Sequence, residues 1–173
     1  MLGANDGIVS TAGVVVGVAG GTSDHKASLL AGVAALAAGA LSMAVGEYVS
    51  VSTQRDSEHS MLSMERQELK SDPAGELEEL TRLYEAKGIS RDLAEQVAVE
   101  LTRHDALGAH AEAELGLDPD DLTNPWHAAL ASMAAFTLGA LLPLLTISFA
   151  PASTRVVITV VAVAVALALT GWM

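Results

Sequence analysis

Charge-free apolar stretches flank one long polar block. The first apolar segment runs from about Leu2 to Gly21, with Asp6 near its start, and the second from Ala27 to about Val51, uncharged as far as Gly46. The third lies between Pro125 and Ala150, and no Asp, Glu, Lys or Arg occurs from Leu122 to Thr154. The fourth runs from Val156 to Met173, again uncharged. A helix needs about 20 apolar residues to cross about 30 Å of hydrocarbon. The second and third segments clear that requirement, and the first and fourth stand at its margin. The first has no basic lead-in and no clear Ala-x-Ala cleavage site, so it reads as a span and not as a signal peptide. The links Gly21–Lys26 and Ala150–Thr154 are short, which folds the four segments into two helical hairpins.

The polar block predicts three helices. Neither proline nor a turn cluster interrupts Ala27 to Leu69, so the second segment should continue as one helix beyond the bilayer. Ser71-Asp72-Pro73 breaks it, with Asp72 as N-cap and Pro73 in the first turn of the next helix. That helix runs from about Ala74 to Ala86 and ends at Gly88. Ser90 caps a third, with apolar positions Leu93, Val97, Leu101, Ala109 and Leu115, closed by Gly116 and Pro119.

Composition sharpens this division. Of the 173 residues 51% are hydrophobic and mean hydropathy is +0.41, yet the formal net charge is −12. Residues 52–121 hold 18 Asp/Glu and 7 Lys/Arg, a net of −11. The expected fold is therefore all-α: a polytopic membrane protein with four visible transmembrane helices and an acidic three-helix domain. Its divisions are a hairpin over 1–51, the acidic domain over 52–121 and a second hairpin over 122–173. The short links carry one Lys or Arg each, so the positive-inside rule puts the acidic block in the cytosol. Tyr48, Trp126 and Trp172 would then anchor at the cytosolic interface. The acidic balance argues against nucleic acid, which needs Lys and Arg, and favours cations. The absence of cysteine excludes disulfides and thiolate-ligated metal.

Two glutamate pairs stand out in the block. Glu65 and Glu68, and likewise Glu76 and Glu79, lie three residues apart and so share a helix face. Carboxylates converging from adjacent helices can hold iron or manganese. Glu112 or Glu114 could add a ligand, with His110 one turn before Glu114. The same spacing also recurs on any solvated acidic face. In the apolar segments Asp6 and Glu47 are the only acids, and Met43 lies one turn before Glu47. Acids are costly in lipid and commonly line a path, while a thioether suits Fe(II) better than Mg(II) or Ca(II). Helix-end caps and lipid-facing filler are the competing roles. Gly13, Gly17 and Gly21 form overlapping GxxxG patterns, and Gly32, Gly39 and Gly46 recur every seven residues, a packing signature or simply small-residue composition. His25, His59, His104 and His127 are scattered. No triad, phosphate loop or Glu-x-x-His motif is present, so no enzymatic activity is expected.

The segments LGANDGIVST, MAVGEYVSVSTQRD, ERQEL, ELEELTRLYEAKGIS and LTRHDALGAHAEAELG together resemble the vacuolar iron transporter family, over almost the whole chain. The resemblance implies a dimeric transporter that exports Fe(II) or Mn(II) from the cytosol against protons. It places metal binding on Glu65, Glu68, Glu76, Glu79 and Glu114, and the translocation path on Asp6, Met43 and Glu47. Metal is then a transported substrate, with no prosthetic group, and Zn(II) is a further ion for the acidic domain. The implied location is a bacterial plasma membrane, as a homodimer in the lipid bilayer. Two departures are visible. His110 and Ala111 stand where the family often has methionines, and the family's fifth span and cytosolic lead-in are missing, as in a truncated member. A membrane-anchored metal buffer that does not transport is the alternative expectation.

Overall fold

The computed structural model describes residues 2–172. Met1 and Met173, the outer bounds of the first and last expected segments, lie outside the described residues. Every regular element is helical: α1 (Leu2–Gly21), α2 (His25–Ser71), α3 (Pro73–Ala86), α4 (Arg91–His110), a π-helical turn (Ala111–Leu115), α5 (Pro125–Phe149) and α6 (Arg155–Trp172). Three of them, α2, α5 and α6, are long and apolar enough to cross a membrane. α1, of 20 residues, is not among the three. The chain divides into two compact units, Met1–Ser50 with Pro125–Met173, and Val51–Asn124.

In the first unit α1 lies directly on α5. Gly7 and Gly139 make this crossing possible. A methyl group added at Gly139 would sit 2.0 Å from the Ala4 carbonyl oxygen, and one at Gly7 would sit 2.2 Å from that of Phe136. Such backbone-to-backbone approach is how helices associate in lipid, where apolar side chains gain nothing from leaving water. Around it pack Val15, Leu144 and Ile147, then Ala40, Phe136 and Ala140, with Met43 against the second group. The expected glycine patterns divide. Gly32 and Gly39 face Leu144 and Phe136, but nothing lies within 4 Å of the positions above Gly13, Gly17, Gly21 and Gly46. Tyr48 and Trp126 pack with ring centroids 4.8 Å apart and planes tilted by 55°. Arg155 is buried, its Nη1 3.2 Å from His25 Nδ1 and its Nη2 donating to the Ser23 carbonyl at 3.4 Å.

In the second unit Leu80, Ala98 and Ala109 form a small core with Leu77, Tyr84, Leu101 and Ala113. Asp72 caps α3 as the sequence predicts, accepting from the Gly75 amide at 3.0 Å. The third predicted helix is not continuous. Asp105 leaves helical geometry (φ −156°, ψ 94°) and its carboxylate accepts from the Gly108 amide at 3.0 Å. Asp105 thus restarts the helix in the same way that Asp72 starts α3. The chain then widens into the π-helical turn and stops at Gly116, whose φ of 66° needs no side chain to clash with.

Replacing Gly139 with Leu should disrupt the α1–α5 crossing, since the added atoms meet backbone that cannot repack. The expected cost is about 3 kcal/mol, the upper part of the overpacking range, and the same change at Gly20 should leave monomer stability intact. Thermal unfolding in detergent, followed by tryptophan fluorescence, measures both.

Candidate metal centre

The second unit brings side chains from three elements to one point. α2 supplies Glu65, α3 supplies Glu76, and the last residue of α4 supplies His110. One ligand atom from each lies within 4.8 Å of the others. His110 Nδ1 is 3.0 Å from Glu65 Oε1 and 3.6 Å from Glu76 Oε2. Glu65 and His110 are buried, Glu65 at 3% exposure and His110 at 0%.

The 3.0 Å contact is short, but it lacks hydrogen-bond direction. Glu65 Oε1 and both ring nitrogens of His110 have no hydrogen-bond partner. An ion pair would need a protonated imidazole, and burial pushes His110 below its usual range, against the pull of Glu114 and Glu79. The ring is therefore neutral at neutral pH. Burial, followed by the charges of Glu114, Glu76 and Glu68, pushes the Glu65 carboxyl up to about 7. Burial and then Glu79, Glu68, Glu114 and Asp72 raise Glu76. Among the described residues neither carboxylate pairs with Arg or Lys, unlike Glu78 and Glu85 on α3. Glu78 is held low by Arg91, which it shares with Glu85, and by Arg82.

Such a group has the chemistry of a divalent-cation site. Two carboxylates and a neutral imidazole balance a charge of +2, and their unpaired oxygens and nitrogen are the donors such an ion takes. Ligand atoms about 2.1 Å from a common ion stand roughly 3.0–3.4 Å apart, close to the separations here. Glu68, Glu79 and Glu114 are exposed, near enough for their charge to act on Glu65 or Glu76. Glu112 is exposed and lines a different cavity of about 580 Å³ with Tyr84, His104 and Asp118.

In the first unit Asp6 is exposed and Glu47 half-buried, and neither joins a group of three or more His, Asp and Glu among the described residues. Met43 is half-buried, its Cε 3.6 Å from where a side chain at Gly3 would begin, so α2 meets α1 within one turn of Asp6.

Helices long and apolar enough to cross a bilayer, together with a largely buried carboxylate–imidazole cluster in the polar unit, define an integral membrane protein with a candidate cation site. Comparison with known proteins agrees: the VIT family model matches residues 1–173, and the chain belongs to that family. It is 45% identical over 151 residues to a vacuolar iron transporter of Acanthamoeba castellanii, covering 87% of this chain and 55% of the relative. It is 34% identical to VIT-like transporter 1a of Glycine max, over 99% of this chain and 66% of the relative. Vacuolar iron transporter homolog 2 of Arabidopsis thaliana is also 34% identical, over 100% and 64%. The chain thus spans between about half and two thirds of the length of these relatives.

The Glu65 shift has a definite sign. Its folded value, about 7, lies above the ordinary 4.5, so its proton stabilises the metal-free fold below pH 4.5 and that contribution is lost as pH rises through 7. The size is on the order of 3 kcal/mol. Gln resembles the protonated form. Glu65→Gln should therefore raise metal-free stability at pH 8 by about 1–3 kcal/mol, leave it unchanged at pH 4.5, and abolish tight Mn(II) binding. Hydrogen exchange across Val51–Asn124 and Mn(II) titration of the solubilised chain check the two halves.

Proposed function

We propose that this protein exports Fe(II) and Mn(II) from the cytosol, with protons moving inward in exchange. The observation that carries this reading is the buried convergence of Glu65, Glu76 and His110 with donor atoms left unpaired. The acidic unit, in the cytosol, collects the ion with Glu65, Glu68, Glu76, Glu79 and Glu114. The ion then passes to Met43, Glu47 and Asp6 within the membrane. Four helices, α1 included, span the bilayer of a bacterial plasma membrane, and two copies assemble around the path. Open space beside Gly13, Gly17, Gly20 and Gly21 supports a second copy there. The transporter names of the relatives support the reading as a whole. Zn(II) is a further ion for the acidic unit.

One observation favours a second reading, a membrane-anchored buffer: the clustered donors all belong to the unit Val51–Asn124. Transport needs charge inside the membrane, whereas buffering does not. Asp6→Asn is nearly isosteric yet removes the charge that neutralises a divalent ion at low dielectric. In proteoliposomes it should lower flux by at least about tenfold, with binding by the acidic unit intact. Met43→Ala should lower Fe(II) flux roughly 3–10-fold and Mn(II) flux less than about twofold, because the softer ion gains more from sulfur. Unchanged flux with Asn at position 6 would remove Asp6 from the path. Metal binding without flux in any form of the protein points to the buffer.

A further inference from the structure

His110 is the one member of the cluster whose role charge does not explain. An imidazole brings no negative charge to an electrostatic sink for cations. It is nonetheless 0% exposed, and neither ring nitrogen has a hydrogen-bond partner. Burying a polar group unpaired costs about 1–3 kcal/mol, and a histidine that only filled the core would find an acceptor. The backbone places it deliberately. Asp105 restarts the helix five residues earlier, and the π-helical turn begins at the next residue. π-Helical turns recur where a side chain has to be aimed at a functional site.

We infer that His110 is a metal ligand through Nδ1, and that this nitrogen makes the centre prefer the borderline ions Zn(II) and Fe(II) to the oxygen-seeking Mn(II) and Mg(II). The inference rests on the reading of the acidic unit as a cation site, and adds to it the identity of the discriminating atom. Nδ1 faces both Glu65 Oε1, at 3.0 Å, and Glu76 Oε2, at 3.6 Å, as donors around one ion would. Two ionised glutamates and a neutral ring also leave a divalent complex without net charge, which suits a buried position. Oxygen ligands alone discriminate weakly between first-row ions. Imidazole favours those later in the series, with Zn(II) and Fe(II) above Mn(II) and all above Mg(II).

His110→Asn tests this on the whole chain in detergent. The Asn side-chain oxygen can occupy the place of Nδ1, so donor position and charge are kept while nitrogen becomes oxygen. Zn(II) affinity, from competition with a chromophoric chelator, should fall roughly 10–100-fold. Mn(II) affinity, from the resonance of the free ion, should change less than about threefold. Equal changes for both ions, or none, overturn the inference. Should the variant fail to fold, pulsed EPR of the Cu(II)-loaded wild-type chain gives an independent reading. Modulation from a remote imidazole nitrogen is expected, and it should vanish when Glu65 and Glu76 are both changed to Gln. Copper bound at the glutamates without that nitrogen signal overturns the role of His110 alone. A wild-type chain that binds no ion overturns the cation site as well.

Discussion

Negative charge left without a partner in a buried place is the constraint on which the second unit is built. The protein has arginines available nearby, and it spends them elsewhere. Arg82 and Arg91 hold Glu78, Arg91 also holds Glu85, and Arg103 meets Glu100 on an exposed face. Glu76, on the same helix as Glu78, faces Glu65 instead; burial first, and then the charges of Glu114, Glu76 and Glu68 on Glu65 and of Glu79, Glu68 and Glu114 on Glu76, raise both carboxyls. An isolated domain gains stability by pairing such groups, and the unpaired oxygen and ring nitrogens are the donors that the proposed cation site would use.

The backbone around this point uses one device twice. Asp72 and Asp105 each cap a helix by accepting from the amide of a glycine three residues on. A methyl group at Gly75 or Gly108 would sit 2.3 or 2.2 Å from the capping carboxylate, so the glycines let the caps close. The first cap sets α3 so that Glu76 falls in its opening turn. The second starts the short stretch that carries His110 into the core beside Ala109 and Ala111, all three buried. Local turn chemistry thus positions Glu76 and His110, beside the small apolar core of Leu80, Ala98 and Ala109.

What the sequence made legible follows the same physics. Breaks signalled by proline and glycine were readable, because those residues constrain the backbone wherever they occur: α2 ends at Ser71, and Gly88 has a φ of 92°. The break at Asp105 was not, since aspartate between Arg103-His104 and Ala106-Leu107 suits a helix interior as well as a cap. The signal was Gly108 three residues on, the same Asp-x-x-Gly spacing as at Asp72. Periodicity alone put His110 on the face of Glu114, as an accessory. Burial joins His110 to Glu65 and Glu76, while Glu114, though exposed, stays close enough to hydrogen-bond the Glu65 side chain. Glycine spacing identified close-packing residues as a class but not which ones pack. Gly7, with Gly3 one turn before it, and Gly139 make the α1–α5 crossing, and Gly32 and Gly39 pack on Leu144 and Phe136, but Gly13, Gly17 and Gly21 pack on nothing in the chain.

That last mismatch bears on the membrane path. Gly3 and Gly7 lie on one face of α1, and their contact with α5 turns Asp6 away from this packing. At 100° per residue, Asp6, Ser10, Gly13, Gly17 and Gly20 fall within about 40° of a common line, on the side of α1 away from the buried Ile8, Thr11 and Val15. All five are exposed, and the space above each of the three glycines is empty to 4 Å. Small residues let another helix backbone come close, and a lone acid at the end of such a stripe leaves polar space where the two helices would diverge. A second copy meeting this face would cover the glycines and set two Asp6 carboxylates near one another. The membrane part would then repeat, by symmetry between chains, the uncompensated negative charge that the acidic unit builds within one.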